Sequence, residues 1–109
     1  MSTRAVHPLI ESRRPDIAAL CQEHGVRRLA AFGSVLREDF DPESSDVDFV
    51  IEFGSAREGA VARQYFDFKA ALERLLDRPV DLVELQAMPD TRLKRSIERT
   101  QVPVYAEAA

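Results

Sequence analysis

Apolar and polar positions along the chain switch repeatedly between a period near 3.6 and a period of two, the signatures of amphipathic helix and half-buried strand. Ile17, Leu20 and Cys21 make an apolar helical face. Ser12 suits its N-cap, Pro15 its first turn and Gly25 a left-handed stop. Upstream of Ser12 no element is assigned. Residues 29–32 form a short apolar run halted by Gly33-Ser34, which predicts a buried strand, a tight turn and then a brief helix at residues 35–37. The charged, Pro- and Ser-containing stretch 38–45 reads as an exposed loop.

In residues 46–53, Val47, Phe49, Ile51 and Phe53 alternate with Asp46, Asp48, Val50 and Glu52, so a strand here has one core face and one face carrying carboxylates. After a loop with Gly54 and Gly59, residues Val61, Tyr65, Phe68, Leu72 and Leu75 predict the longest helix, over 61–76. Arg78-Pro79 leads into a short strand at 80–84, with Asp81 and Val83 on one side and Val80, Leu82 and Glu84 on the other. Pro89 and Asp90 are set to start a last helix to about residue 99, with Leu93 and Ile97 inward. An edge strand tolerant of Pro103 follows at 102–105. The order is helix, strand, helix, strand, helix, strand, helix, short strand. It predicts an α+β fold, a small sheet covered by helices, as a single domain over residues 1–109.

Composition narrows the function classes. The 109 residues are 45% hydrophobic and 31% charged, the balance of a globular chain. No run approaches the roughly 20 apolar residues of a membrane span, and no apolar leader opens the chain, so a cytoplasmic location is the expectation. The net charge of -4 argues against general nucleic-acid attraction, and any anion site has to be local. Arg92, Lys94, Arg95 and Arg99 spread around the last helix and read as a solvated face rather than a nucleic-acid-binding stripe. Cys21 is the only cysteine, and its spacing from Ile17 places it in the core. His7 and His24 have no partner at metal-ligand spacing and suit surface or helix-end positions.

The chemistry concentrates in three features. Asp46 and Asp48, two apart on a strand, point to one side and can share a metal position. Aspartate is a poor strand former, and adjacent like charges repel without a cation. Gly33-Ser34, between a strand and a helical turn, offers backbone N–H groups and a hydroxyl to an anion such as a triphosphate. Asp81 is a lone acid in an otherwise apolar strand, and a neighbouring strand can set it beside the other two. Separately, each has an ordinary explanation as a turn, a cap or a solvent-facing acid. Together they supply a phosphate cradle, a metal bridge and a third carboxylate for two-metal phosphoryl chemistry.

With the segments Leu29-Ala-Ala-Phe-Gly-Ser34, Arg37, Ser45-Asp-Val-Asp-Phe-Val50, Val80-Asp-Leu-Val83 and Val102-Pro-Val-Tyr105, the sequence resembles the polymerase-beta-like nucleotidyltransferases. The likeness is strongest to the minimal nucleotidyltransferases of toxin-antitoxin modules paired with HEPN proteins. It implies that Gly33, Ser34 and Arg37 contact the nucleotide, that Asp46, Asp48 and Asp81 ligate two Mg2+ ions, and that ATP is the substrate. It further implies an antitoxin that adenylylates a tyrosine of a small helical HEPN toxin. A binding-only antitoxin of the same fold, or transfer to an RNA end or a small-molecule hydroxyl, are the alternatives.

Overall fold

A computed structural model describes residues 7–33, 46–54 and 61–107. Two helices, α1 (Pro8–Glu11) and α2 (Arg14–Glu23), lead into β1 (Val26–Phe32); β2 (Val47–Phe53), α3 (Val61–Leu76) and β3 (Val80–Val83) follow. A 3-10 turn at Leu85–Ala87, helix α4 (Arg92–Thr100) and strand β4 (Val102–Ala106) complete the described order. The strands form a four-stranded mixed sheet in the order β3-β2-β1-β4, antiparallel except for the parallel pair β2 and β3. The fold is α+β, as the periodicities predict.

One face of the sheet lies under α1, α2 and α3. Leu29, Ala31, Val47, Phe49, Ile51, Val80 and Leu82 meet Ile10, Ile17, Cys21, Phe68, Leu72 and Leu76 in one continuous core. Fully burying a large apolar side chain stabilises by roughly 1.5–3 kcal/mol, so this layer carries most of the folding free energy. Burial pushes the Cys21 thiol up to about 12, which keeps it protonated and inert. The opposite face holds a smaller cluster in which Ala30 and Val50 lie beneath Ile97 of α4, flanked by Phe32, Leu85 and Met88. Among the described residues, no helix is long and apolar enough to cross a membrane.

Several boundaries differ from the sequence expectation, each for a local reason. Ser12 ends α1, its hydroxyl donating to the Leu9 carbonyl; α2 begins after Arg13 without a side-chain cap. β1 starts at Val26, three residues early, because Arg27 and Arg28 hide a strand that bulges between Val26 and Arg28. Thr91, rather than Pro89 or Asp90, caps α4 by accepting from the Lys94 N–H. Leu93 is 61% exposed and only Ile97 is buried, so the inward face of α4 is narrower than expected. His7 caps α1 through Nδ1 and His24 ends α2, both helix-end roles. The expected helix at residues 35–37 lies outside the described residues.

Both outer strands are fastened by side chains. At β4, Arg14 donates to the carbonyls of Val104 and Pro103. At β3, the Tyr65 hydroxyl donates to the Leu82 carbonyl at 2.8 Å, and a Glu73 carboxylate oxygen accepts from the Val80 N–H at 3.0 Å. Both of these partners come from α3, which ends at Asp77 in a left-handed conformation (φ 55°) and so turns directly into β3.

Candidate active site

The strand alternation that buries Val47, Phe49 and Ile51 turns Asp48 to the other face of the sheet. Parallel pairing then sets Asp48 opposite Asp81, while antiparallel pairing sets it opposite Phe32. Phe32, Asp48 and Asp81 therefore form one row across three strands, at the end of β1 and near the starts of β2 and β3. Asp46 precedes β2 and is exposed, two residues before Asp48 along the chain. Of the three acids that the sequence groups together, Asp48 and Asp81 share this row and Asp46 stands outside it; the register, which sequence alone leaves open, is what brings Asp81 level with Asp48.

Gly33 closes the row. Its φ is +75°, the left-handed region that side chains rarely adopt, and a Cβ built there would lie 2.7 Å from Oδ2 of Asp48. The carboxylate thus packs against the bare Cα of the glycine. The sequence pattern suits Gly33 to a triphosphate; the structure adds that Gly33 makes room for Asp48, a non-local contact with no sequence signal. Ser34 and Arg37 lie outside the described residues.

The donor set suits a hard divalent cation: carboxylate oxygens from neighbouring strands, one of them seated against a glycine. Among the described residues, no three His, Cys, Asp or Glu side chains are gathered tightly enough to hold a metal ion. Neighbouring strands lie about 4.8 Å apart, so Asp48 and Asp81 can close on a shared ion by rotamer change, with the backbone register unaltered. The residues fit such an ion by position and chemistry; the gathering of their oxygens is the part left to the cation.

A groove lined by residues 50–54 of β2 and its end, with Gln64 and residues 84–86, runs from the middle of β2 to its far end. At about 3.3 Å per strand residue, its near edge at Val50 stands roughly 7 Å and its far edge at Phe53 roughly 16 Å from Asp48 along the strand, so the groove extends away from the aspartates. Glu84 falls just beyond β3 and belongs to this end of the molecule.

Residues 17–102 match the profile of the nucleotidyltransferase domain family. A Methanocaldococcus jannaschii protein named "Putative protein adenylyltransferase MJ0435" is 36% identical over 74 residues, 68% of this chain and 75% of the relative. A solved structure described as a "putative minimal nucleotidyltransferase" is 31% identical, with a TM-score of 0.66 over 94% of this chain and 99% of its own. The MNT antitoxin fold also aligns in a complex with a tri-AMPylated Shewanella oneidensis HEPN toxin. There the TM-score is 0.61 at 18% identity, over 90% of this chain and 73% of that one, a likeness of fold.

Proposed function

The chain belongs to the nucleotidyltransferase domain family, and from that premise we propose that it transfers AMP from ATP to a hydroxyl of a partner protein, a tyrosine of a HEPN toxin, and so acts as an antitoxin. The observation that carries this reading is the shared register of Asp48 and Asp81 on parallel strands. It supplies acids from two strands to one point at one end of the sheet. The "protein adenylyltransferase" name of the relative and the AMPylated toxin beside the structural neighbour support protein as the acceptor.

In the proposed mechanism Asp46, Asp48 and Asp81 hold Mg2+. Magnesium, when bound, supplies charge neutralisation at the attacking and leaving oxygens of an in-line displacement. Gly33, with Ser34 after it, receives the triphosphate, and Arg37 is assigned a further nucleotide contact. Asp81 accepts the proton of the acceptor hydroxyl as its oxygen bonds to the α-phosphorus. The bond from that phosphorus to the bridging oxygen breaks, and pyrophosphate leaves. The aspartates contribute through position and charge, with no covalent intermediate on the chain.

The test is incubation of the purified chain with ATP, magnesium and a HEPN partner, followed by intact-mass measurement of both proteins. A gain of one or more AMP units on the partner, mapped to tyrosine, is the expected result. Tight binding of an unmodified partner, with neutralisation intact, would leave the binding-only antitoxin in its place. AMP found on RNA or on a small molecule instead would keep the chemistry and replace the acceptor.

A further inference from the structure

We infer that Tyr65 and Glu73 are positioning residues for Asp81, an inference that rests on the proposed catalytic role of that aspartate. β3 has four residues and, among the described residues, a sheet neighbour on one side only. The Val47 N–H donates to the Pro79 carbonyl, so the backbone groups of residue 79 face β2. By strand alternation those of Asp81 face β2 as well, and those of Val80 and Leu82 face outward. These outward groups are where α3 attaches: Glu73 takes the Val80 N–H and Tyr65 reaches the Leu82 carbonyl.

The two bonds flank Asp81 along the strand, one residue to either side. They come from residues eight apart on α3, two turns of one helix, so a single rigid element spans the position. Side-chain period in a strand is two, and a slip of one residue would carry Asp81 to the buried face and bring Val80 or Leu82 into its row. A four-residue edge strand with one ladder has little of its own to oppose such a slip or fraying. Tyr65 and Glu73 oppose both, because each bond is made only in the observed register. Neither side chain lies in the Asp48 row, so their effect on chemistry passes through Asp81.

The experiment pairs amide hydrogen exchange with steady-state transfer kinetics in wild type, Tyr65→Phe, Glu73→Leu, Glu73→Gln, Asp81→Asn and the double variant Tyr65→Phe/Asp81→Asn. Loss of one such bond is expected to speed exchange of the Val80–Val83 amides by about three- to tenfold, with the amides of β1 unchanged. Transfer kcat should fall by a similar factor while KM for ATP holds. Glu73→Gln keeps an accepting oxygen and should restore both readouts, which Glu73→Leu should not. Adding Tyr65→Phe to Asp81→Asn should lower the residual rate no further, because the two act through one group. Equal protection of β3 in wild type and Tyr65→Phe, or full additivity in the double variant, would overturn the inference. Wild-type chain that transfers nothing would instead count against the proposed function, and the exchange comparison alone would then decide the positioning claim.

Discussion

Ala31, Phe49 and Leu82 form one row across β1, β2 and β3, and they vanish beneath α2 and α3; the next row, Phe32, Asp48 and Asp81, turns to the opposite face and stays partly open. The same three strands thus present two surfaces of opposite character one residue apart. Among the described residues, the first surface joins a core of fifteen buried residues, whereas the second buries three, Ala30, Val50 and Ile97. The difference teaches how a short chain can tolerate neighbouring acids. The helix-covered face fixes strand register, and that register places the carboxylates on the other face whether or not they favour folding. Carboxylates on that face avoid the cost of burying a charge in the core.

Core truncation should have the largest effect on stability. Phe68→Ala on α3 removes a fully buried ring from the covered face and should cost about 3–5 kcal/mol in urea unfolding. A cost below about 1 kcal/mol would break the claim that this face holds the fold. Ile97→Ala, on the sparser face, should cost less, about 2 kcal/mol, since a small cluster relaxes more easily around the vacancy. Comparable losses from the two variants would erase the distinction between the faces.

Gly33→Ala comes next. It asks a side chain to take φ +75° and to enter the space of an Asp48 oxygen, and should cost about 1–2 kcal/mol by thermal unfolding. It should also abolish the stabilisation expected from magnesium and ATP, which in wild type should reach about 2.7 kcal/mol at a hundred times the dissociation constant. A wild-type nucleotide shift retained in full by Gly33→Ala would separate the glycine from the site.

The smallest effect belongs to the exposed pair Glu11–Arg14 beside α1. The hydrogen bonds from Arg14 hold the Glu11 carboxyl below the usual carboxylate range. A lowered value in the folded state means that the pair's contribution is present above the unfolded pKa and is lost as pH falls through the folded one. Glu11→Gln should therefore lower stability at neutral pH by less than about 1 kcal/mol, with the difference from wild type vanishing under acid conditions. A gap that widens as pH falls would contradict this sign.

Legibility in the sequence followed locality. Period-two alternation in β2 and the apolar spacing of α3 are local signals strong enough to survive tertiary packing, and both elements stand where those signals put them. Asp48 and Asp81 were readable as strand-borne acids on the less apolar side. Their mutual register was not, because parallel pairing across a helical crossover is decided by core packing rather than by neighbours in sequence. The contact of Gly33 with Asp48 and the reach of Tyr65 to Leu82 join residues 15 and 17 positions apart, and neither has a one-dimensional signature. Helix α1 has no sequence signature since four residues show no period, and Leu93, inward by spacing, is exposed because α4 meets the sheet chiefly through Ile97.

The most direct measurement of the central claim compares Asp48→Asn with wild type in two assays on the same preparations, folding stability and AMP transfer to a HEPN partner. Asparagine keeps the shape and removes the charge, so the variant should remain folded, with a cooperative unfolding transition, in the absence of metal. Its transfer rate should fall by about a thousandfold or more, with the partner recovered unmodified. An Asp48→Asn chain that still transfers AMP at the wild-type rate would contradict the account, because the row of aspartates would then be no part of the chemistry.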